Sequence, residues 1–296
     1  MTTVHTNSPG RFDSGPSSFL STFWKWFPGK ITLGDADILL LVTGDEKKYR
    51  SQHRFKRIVT RCDGLYYIRD EKQPPAERNK GPIYRYKIAD AVIFQSEYAR
   101  QFYEHVAGRR DVRSTVIHNG SDAKFCSKKR EFGVVTCTDI RRSKRPHLIP
   151  AIASLLPRVP FFVLGRYSGK RTDNMVLLGN IERRRVQEYY NKYSTYLHLG
   201  YQDCCPNAVV EAICSGMGIV ASNSGGVPEI VKRSGFLFQE ESVGFDQIDY
   251  PPEPDLREVV TLIHSSCSVS PAPREDLSCR EVMKKYDEFF RECLKG

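Results

Sequence analysis

Apolar positions along this chain follow two rhythms that alternate from end to end. Short unbroken runs of Ile, Leu, Val and Phe read as buried strands, and stretches with an apolar residue every three or four positions read as helices. Together they are the pattern of parallel sheets joined by crossover helices. In the first half, Ile38 to Thr43, Arg57 to Thr60 and Ala91 to Gln95 predict strands. Ser96 to Val106 predicts a helix through Tyr98, Phe102 and Val106, and Thr115 to His118 closes the set. The polar, basic stretch Ser127-Lys128-Lys129-Arg130 is the expected linker. A second set follows, with strands predicted at Gly133 to Thr138, Phe161 to Gly165, Met175 to Leu178, Thr195 to Leu199 and Gly218 to Ser222. The expectation is an α/β protein of two domains, 1–127 and 128–279. From 280 to 296 a last helix, apolar at Val282, Tyr286, Phe289, Phe290 and Cys293, is expected to pack back on the first domain.

Length agrees with this division, since 296 residues exceed one typical domain and fall short of three. With 40% hydrophobic and 27% charged residues the composition is that of a globular chain. The longest strongly apolar run, Ile38 to Val42, is far shorter than the roughly 20 residues that span a bilayer. Met1 to Gly10 has no basic segment followed by an apolar one, so no secretory signal and a cytoplasmic address are expected. Nine cysteines without metal-ligand rhythm read as reduced thiols, so no metal site is expected; no cofactor is expected either. The net charge of +10 implies attraction to an anion, be it a nucleotide diphosphate, a membrane surface or a nucleic acid.

Chemistry is concentrated in Asp203-Cys204-Cys205-Pro206-Asn207-Ala208-Val209-Val210-Glu211, which follows a predicted strand and opens a helix. Pro206 suits the first helical turn and Gly216 the C-terminal stop, so the backbone N–H groups around Asn207, Ala208 and Val209 face the carboxyl edge of the sheet and form an anion site. Asp203 and Glu211 flank it; an N-terminal cap and an ordinary exposed acid are their bland readings. Next comes Ser224-Gly225-Gly226-Val227-Pro228-Glu229, a glycine turn whose backbone can approach a ligand closely. Upstream, Asp139-Ile140-Arg141-Arg142-Ser143-Lys144-Arg145-Pro146 lies at a strand's carboxyl end, where a basic loop favours phosphate contact.

Taken together these segments resemble family 4 of the retaining glycosyltransferases, which have the GT-B fold: two Rossmann-like domains facing a cleft. The resemblance spans roughly residues 57 to 235 and is most specific in the C-terminal half. It implies that Lys144, with Arg141 or Arg142, grips the diphosphate of a nucleotide-sugar donor. It also implies that Glu211 holds the ribose hydroxyls and Asp203 the sugar hydroxyls. Gly165-Arg166 and Gly179-Asn180 resemble the segments bordering the base, and Val116 to Asp122 resembles the interdomain motif. A nucleotide-sugar donor and a glycan or lipid-linked acceptor are the implied partners, with peripheral contact to an anionic membrane and no nucleic acid. With no Asp-x-Asp between the domains, transfer without a metal is expected.

Three features depart from the family pattern. Asp203 stands where the family has Glu, Ser14-Gly15-Pro16-Ser17-Ser18 where it has a glycine pair, and the N-terminal domain is short. In that domain Asp63, after the strand Arg57 to Thr60, reads equally as an acceptor-side acid or as an Asp-Gly turn. His118 reads as structural and His53 is unassigned. The alternatives are a GT-B sugar-nucleotide epimerase or phosphorylase, a non-catalytic sugar-nucleotide binder, or a basic nucleic-acid-binding protein. The last has no zinc-finger, helix-turn-helix or RNA-binding aromatic motif behind it.

Overall fold

The computed structural model of the chain describes residues 1–6, 15–44, 46–69, 73–232, 234–269 and 271–295. Its contacts divide the chain into two units, one of Met1–Gly120 with the segment from Asp276 onward, the other of Ser121–Glu275. Ser14, part of the expected replacement for the glycine pair, lies outside the described residues.

Unit 1 runs β1 (Thr3–His5), α1 (Gly15–Trp26), β2 (Lys30–Thr32), β3 (Ala36–Leu41), α2 (Glu46–Arg50), β4 (Phe55–Cys62), α3 (Pro75–Ile88), β5 (Ala91–Phe94), α4 (Glu97–Ala107) and β6 (Arg113–Val116). Its strands form one parallel sheet in the order β2-β1-β3-β4-β5-β6. Because helices cover both faces of such a sheet, its strands are apolar without alternation, and Ile38 to Leu41 are all fully buried. The helix expected at Ser96 starts where the Ser96 hydroxyl accepts the Ala99 N–H at 3.1 Å, and ends at Gly108, whose φ of 82° a side chain would resist. The strand expected at Thr115 to His118 lies earlier, at Arg113–Val116, and β1, β2 and α1 were not foreseen. Strands of three residues carry too little periodicity to register in a sequence pattern.

Unit 2 runs β7 (Glu131–Thr138), α5 (Leu148–Leu155), β8 (Phe161–Gly165), β9 (Met175–Gly179), α6 (Arg183–Lys192), β10 (Tyr193–His198), α7 (Asn207–Ser215), β11 (Gly218–Ser222), α8 (Val227–Val231), β12 (Gly235–Phe238) and α9 (Leu256–Ser266). A second parallel sheet results, in the order β12-β11-β10-β7-β8-β9. Chain order reverses beside β7 and β10, the switch point at which open α/β sheets bind ligands beyond the strands' carboxyl ends. The basic stretch Ser127–Arg130 lies within unit 2, where the Arg130 guanidinium donates to the carbonyls of Tyr190 at 2.9 Å and Ser215 at 2.5 Å.

The closing helix α10 (Cys279–Lys295) belongs to unit 1 and buries Val282, Met283, Tyr286, Phe289, Phe290 and Cys293. These join Phe19, Phe23 and Phe27 in one core, with Phe23 stacked on Phe27 at 4.5 Å between ring centroids. An Asp-x-Asp does occur in the chain, as Asp35-Ala36-Asp37, and its acids serve the sheet's amino-terminal side. Asp35 accepts the Arg54 N–H at 3.0 Å, and Asp37 accepts from Thr3 and pairs with Lys56 at 2.8 Å. All nine cysteines are free. Among the described residues no helix is long and apolar enough to cross a membrane.

One buried ion pair ties the carboxyl edge of unit 2 together. Arg145 is fully buried and left-handed, with φ 47°. Its guanidinium donates to both Glu240 carboxylate oxygens at 2.5 and 3.0 Å, to the Leu199 carbonyl at 2.7 Å and to the Pro252 carbonyl at 2.8 Å. Removing one partner strands the other charge in the interior. Arg145→Met is therefore expected to lower unfolding stability by about 3 to 5 kcal/mol in chemical denaturation. A loss under about 1 kcal/mol, the range of exposed pairs, would show that the pair does not hold this edge.

Candidate functional site

Three loops meet at the carboxyl edge of the unit 2 sheet. After β7 the chain passes through Asp139 into a single 3-10 turn, Arg142–Lys144, directly ahead of the buried Arg145. After β10 it passes through Gly200 and Gln202 to Asp203, and Pro206 then caps α7 in extended conformation. After β11 comes the glycine turn. Gly225 has φ 63°, and a Cβ there would lie 2.5 Å from the Asp203 carbonyl oxygen and 2.7 Å from the Gln202 carbonyl carbon. The close approach that needs this glycine is thus to the Asp203 loop itself. The Gly226 N–H donates to the Asp203 carbonyl at 2.9 Å, and the Gln202 N–H to the Ser224 hydroxyl at 2.9 Å.

The acid and the base expected on separate loops are brought together. The Lys144 ammonium donates to Asp203 Oδ2, and both side chains are about one-fifth exposed, at 21% and 20%. Burial raises the Asp203 pKa, but the charge and hydrogen bond of Lys144, together with His198 and Arg141, outweigh it and hold the carboxyl below its usual range. Glu211, in the second turn of α7, meets the Arg183 guanidinium at 3.2 Å, and the same guanidinium reaches Asp122 at 2.9 Å. Here burial prevails: it pushes the Glu211 carboxyl up, against the pull of Arg183. Neither acid is an ordinary exposed one.

At the start of α7 the expected anion site is smaller than its sequence suggests. The Val209 and Val210 N–H groups both donate to the Pro206 carbonyl, at 3.1 and 3.2 Å, so the amides ahead of this turn are those of Asn207 and Ala208. Pro206, lacking an N–H, contributes its carbonyl alone. The helix ends at Gly216 with φ 82°, where a Cβ would strike the Phe125 ring.

The remaining candidates divide. Arg141 and Arg166 both turn to Asp139, at 3.7 and 2.9 Å, so the basic loop carries its own counter-charge. Arg142 stacks over the Tyr250 ring at 4.3 Å and donates to the Asp249 carbonyl at 3.4 Å. Gly165 has a packing reason for its identity: φ is 90° and a Cβ would lie 2.1 Å from the Thr138 carbonyl oxygen. Gly179, with φ 64°, and Asn180 are exposed at the end of β9, just ahead of Arg183. Asp63 belongs to unit 1, where its Oδ1 accepts from Arg61 at 2.5 Å and from Gln95 at 2.6 Å. Arg61 in turn donates to Asn119 at 2.6 Å and to the Tyr286 hydroxyl at 3.1 Å, so Asp63 is part of a buried network and not a bare turn residue. Burial raises its pKa against the pull of Arg61.

Sequence reasoning passed over two residues beside Asp203. Arg145 organises the edge, yet in sequence nothing distinguishes it from the other cations of the basic loop. His198, the last residue of β10, was not singled out; its Nε2 is buried 3.9 Å from Asp203 Oδ2. A histidine at the buried end of a strand, five residues before the acid, was the available signal.

Residues 142–246 match the family described as Glycosyl transferases group 1. That stretch contains Lys144, Asp203, Glu211 and the glycine turn, and it is narrower than the resemblance expected over 57 to 235. Comparison with curated protein sequences finds no match. Among solved structures, sucrose-phosphate synthase from Thermosynechococcus elongatus is similar with a TM-score of 0.61 and 16% identity, over 88% of this chain and 70% of that one. AviGT4, a glycosyltransferase involved in avilamycin A biosynthesis, has a TM-score of 0.61 at 13% identity, over 100% of this chain and 99% of that one. The pneumococcal O-GlcNAc transferase GtfA, in complex with UDP and GlcNAc, has a TM-score of 0.59 at 15% identity. The likeness covers 88% of this chain, which spans only 57% of that transferase. The two parallel six-stranded sheets with their flanking helices thus have the GT-B fold of these glycosyltransferases, and the matching Glycosyl transferases group 1 segment carries the loops of the unit 2 sheet edge.

Proposed function

We propose that the chain is a retaining, metal-independent glycosyltransferase of family 4, whose nucleotide-diphosphate sugar donor binds at the carboxyl edge of the unit 2 sheet. The observation that carries this reading is the convergence of Lys144, Asp203 and the start of α7 inside the Glycosyl transferases group 1 segment. A diphosphate there meets a fixed ammonium and the positive end of a helix dipole, both aimed at the charge that builds on the leaving oxygen. Arg141 or Arg142 adds a second cation once drawn from Asp139 or Tyr250. Glu211 accepts the ribose hydroxyls and Asp203 the hydroxyls of the transferred sugar. A glycan or lipid-linked hydroxyl is the acceptor, with Asp63 the candidate acid on its side. Asp203, one methylene shorter than Glu, sets a different reach toward the sugar.

Three outcomes test this reading. Lys144→Ala is expected to weaken donor binding by about 1.5 to 3 kcal/mol, the loss of one charge-assisted contact, and to lower turnover with it. Donor affinity within twofold of wild type by calorimetry, in a folded variant, would remove Lys144 from the site.

Glu211→Gln is expected to weaken binding of the bare nucleoside diphosphate by roughly 1.5 to 3 kcal/mol, whereas Asp203→Asn leaves that affinity intact and lowers the turnover number. Equal losses of nucleotide affinity in both variants would contradict the division of roles. Turnover is further expected to survive a chelator; activity abolished by chelation and restored by magnesium or manganese would show that a metal supplies the leaving-group charge.

A further inference from the structure

His198 is 3% exposed, and its Nε2 is buried without a hydrogen-bond partner. A polar atom so placed costs free energy unless some state of the protein satisfies it. The polar atom facing it is Asp203 Oδ2 at 3.9 Å, about 1 Å too far for a hydrogen bond, and that oxygen is held by Lys144. Residue 200, packed against both groups, is glycine: a Cβ there would lie 2.7 Å from His198 Nε2 and 3.5 Å from Asp203 Oδ2. The charged groups facing the ring are Lys144, Asp203 and Arg145. Burial first, then the Lys144 charge, pushes the imidazole down to about 3, so it is neutral at working pH and carries a single N–H.

A donor's diphosphate beside this pair would compete with Asp203 for the three N–H donors of the Lys144 ammonium. Resting on the donor-site reading above, we propose that His198 is a positioning residue for transfer: its Nε2–H takes the Asp203 carboxylate when the donor's diphosphate draws Lys144 away. The carboxylate then stays charged and oriented toward the sugar at the moment its first partner leaves. The imidazole acts through Asp203 and does not touch the reacting atoms.

The probe is whichever of UDP, GDP, ADP, CDP and TDP raises the melting temperature of the full chain most, together with its glucose conjugate. With 15N-labelled histidine, the His198 Nε2–H resonance, identified by its loss in a variant, is expected to move downfield when the diphosphate is added. His198→Leu, which has no donor, is expected to lower hydrolysis of the sugar conjugate, in which water takes the sugar and the nucleoside diphosphate leaves, about tenfold or more in kcat, with diphosphate affinity and KM within about twofold. His198→Gln, which keeps an N–H, is expected to recover most of that loss. Diphosphate binding with an unmoved imidazole resonance, or a folded His198→Leu variant with wild-type kcat, would overturn the proposal and leave the donor site standing. Failure of the wild type to bind any of the diphosphates would overturn the donor-site reading and this proposal with it.

Discussion

Everything at the carboxyl edge of unit 2 hangs on the Arg145 guanidinium. It sits at the left-handed turn that ends the basic loop and reaches the end of β10 through the Leu199 carbonyl. It holds the segment after β12 through Glu240. Glu240 also accepts the Ser222 hydroxyl at 2.6 Å, and Ser222 meets Ser224 at 2.6 Å in the glycine turn. Four loops that are far apart in sequence are thereby fixed to one charge. A buried pair of this kind adds little net stability over apolar packing but leaves a costly stranded charge in any arrangement that separates its partners. Here the intact pair places Lys144, one residue before Arg145, against Asp203.

The consequence for chemistry is electrostatic preorganisation. Each acid of the pair faces a cation, Asp203 with Lys144 and Glu211 with Arg183. Both cations are on loops or helix starts at the sheet edge, and both acids flank or lie within α7. On the reading proposed above, a nucleotide sugar would compete for the cations through its phosphates and for the acids through its hydroxyls, exchanging one set of partners for another. Glycine at 225 allows the third loop to press on the Asp203 backbone, which limits how far that acid can drift.

Much of this was legible in the sequence because its signals are local. Buried parallel strands announce themselves as unbroken apolar runs, and the five strands expected in unit 2 are all present, with β12 added. Lys144, Asp203, Glu211 and the glycine turn stood out because they lie in loops that follow strands and because their spacing resembles that of a known family. Pairing across loops was not legible: nothing in the order of residues says that Arg145 meets Glu240, or that Gly225 is needed for the Asp203 backbone more than for a ligand. His198 escaped because its meaning lies in an unfilled hydrogen bond, which only a three-dimensional arrangement reveals. The strands β1 and β2 escaped because three residues carry no period.

The central claim is that one sheet edge binds a nucleotide-diphosphate sugar. Amide hydrogen exchange of the full chain, with and without a saturating sugar nucleotide, tests it without presupposing an acceptor. The account predicts slowed exchange at the basic loop around Lys144, at the start of α7 and in the glycine turn around Gly225, with the far end of the same sheet unchanged. Exchange slowed elsewhere in the chain, with these three segments unaltered, would contradict it.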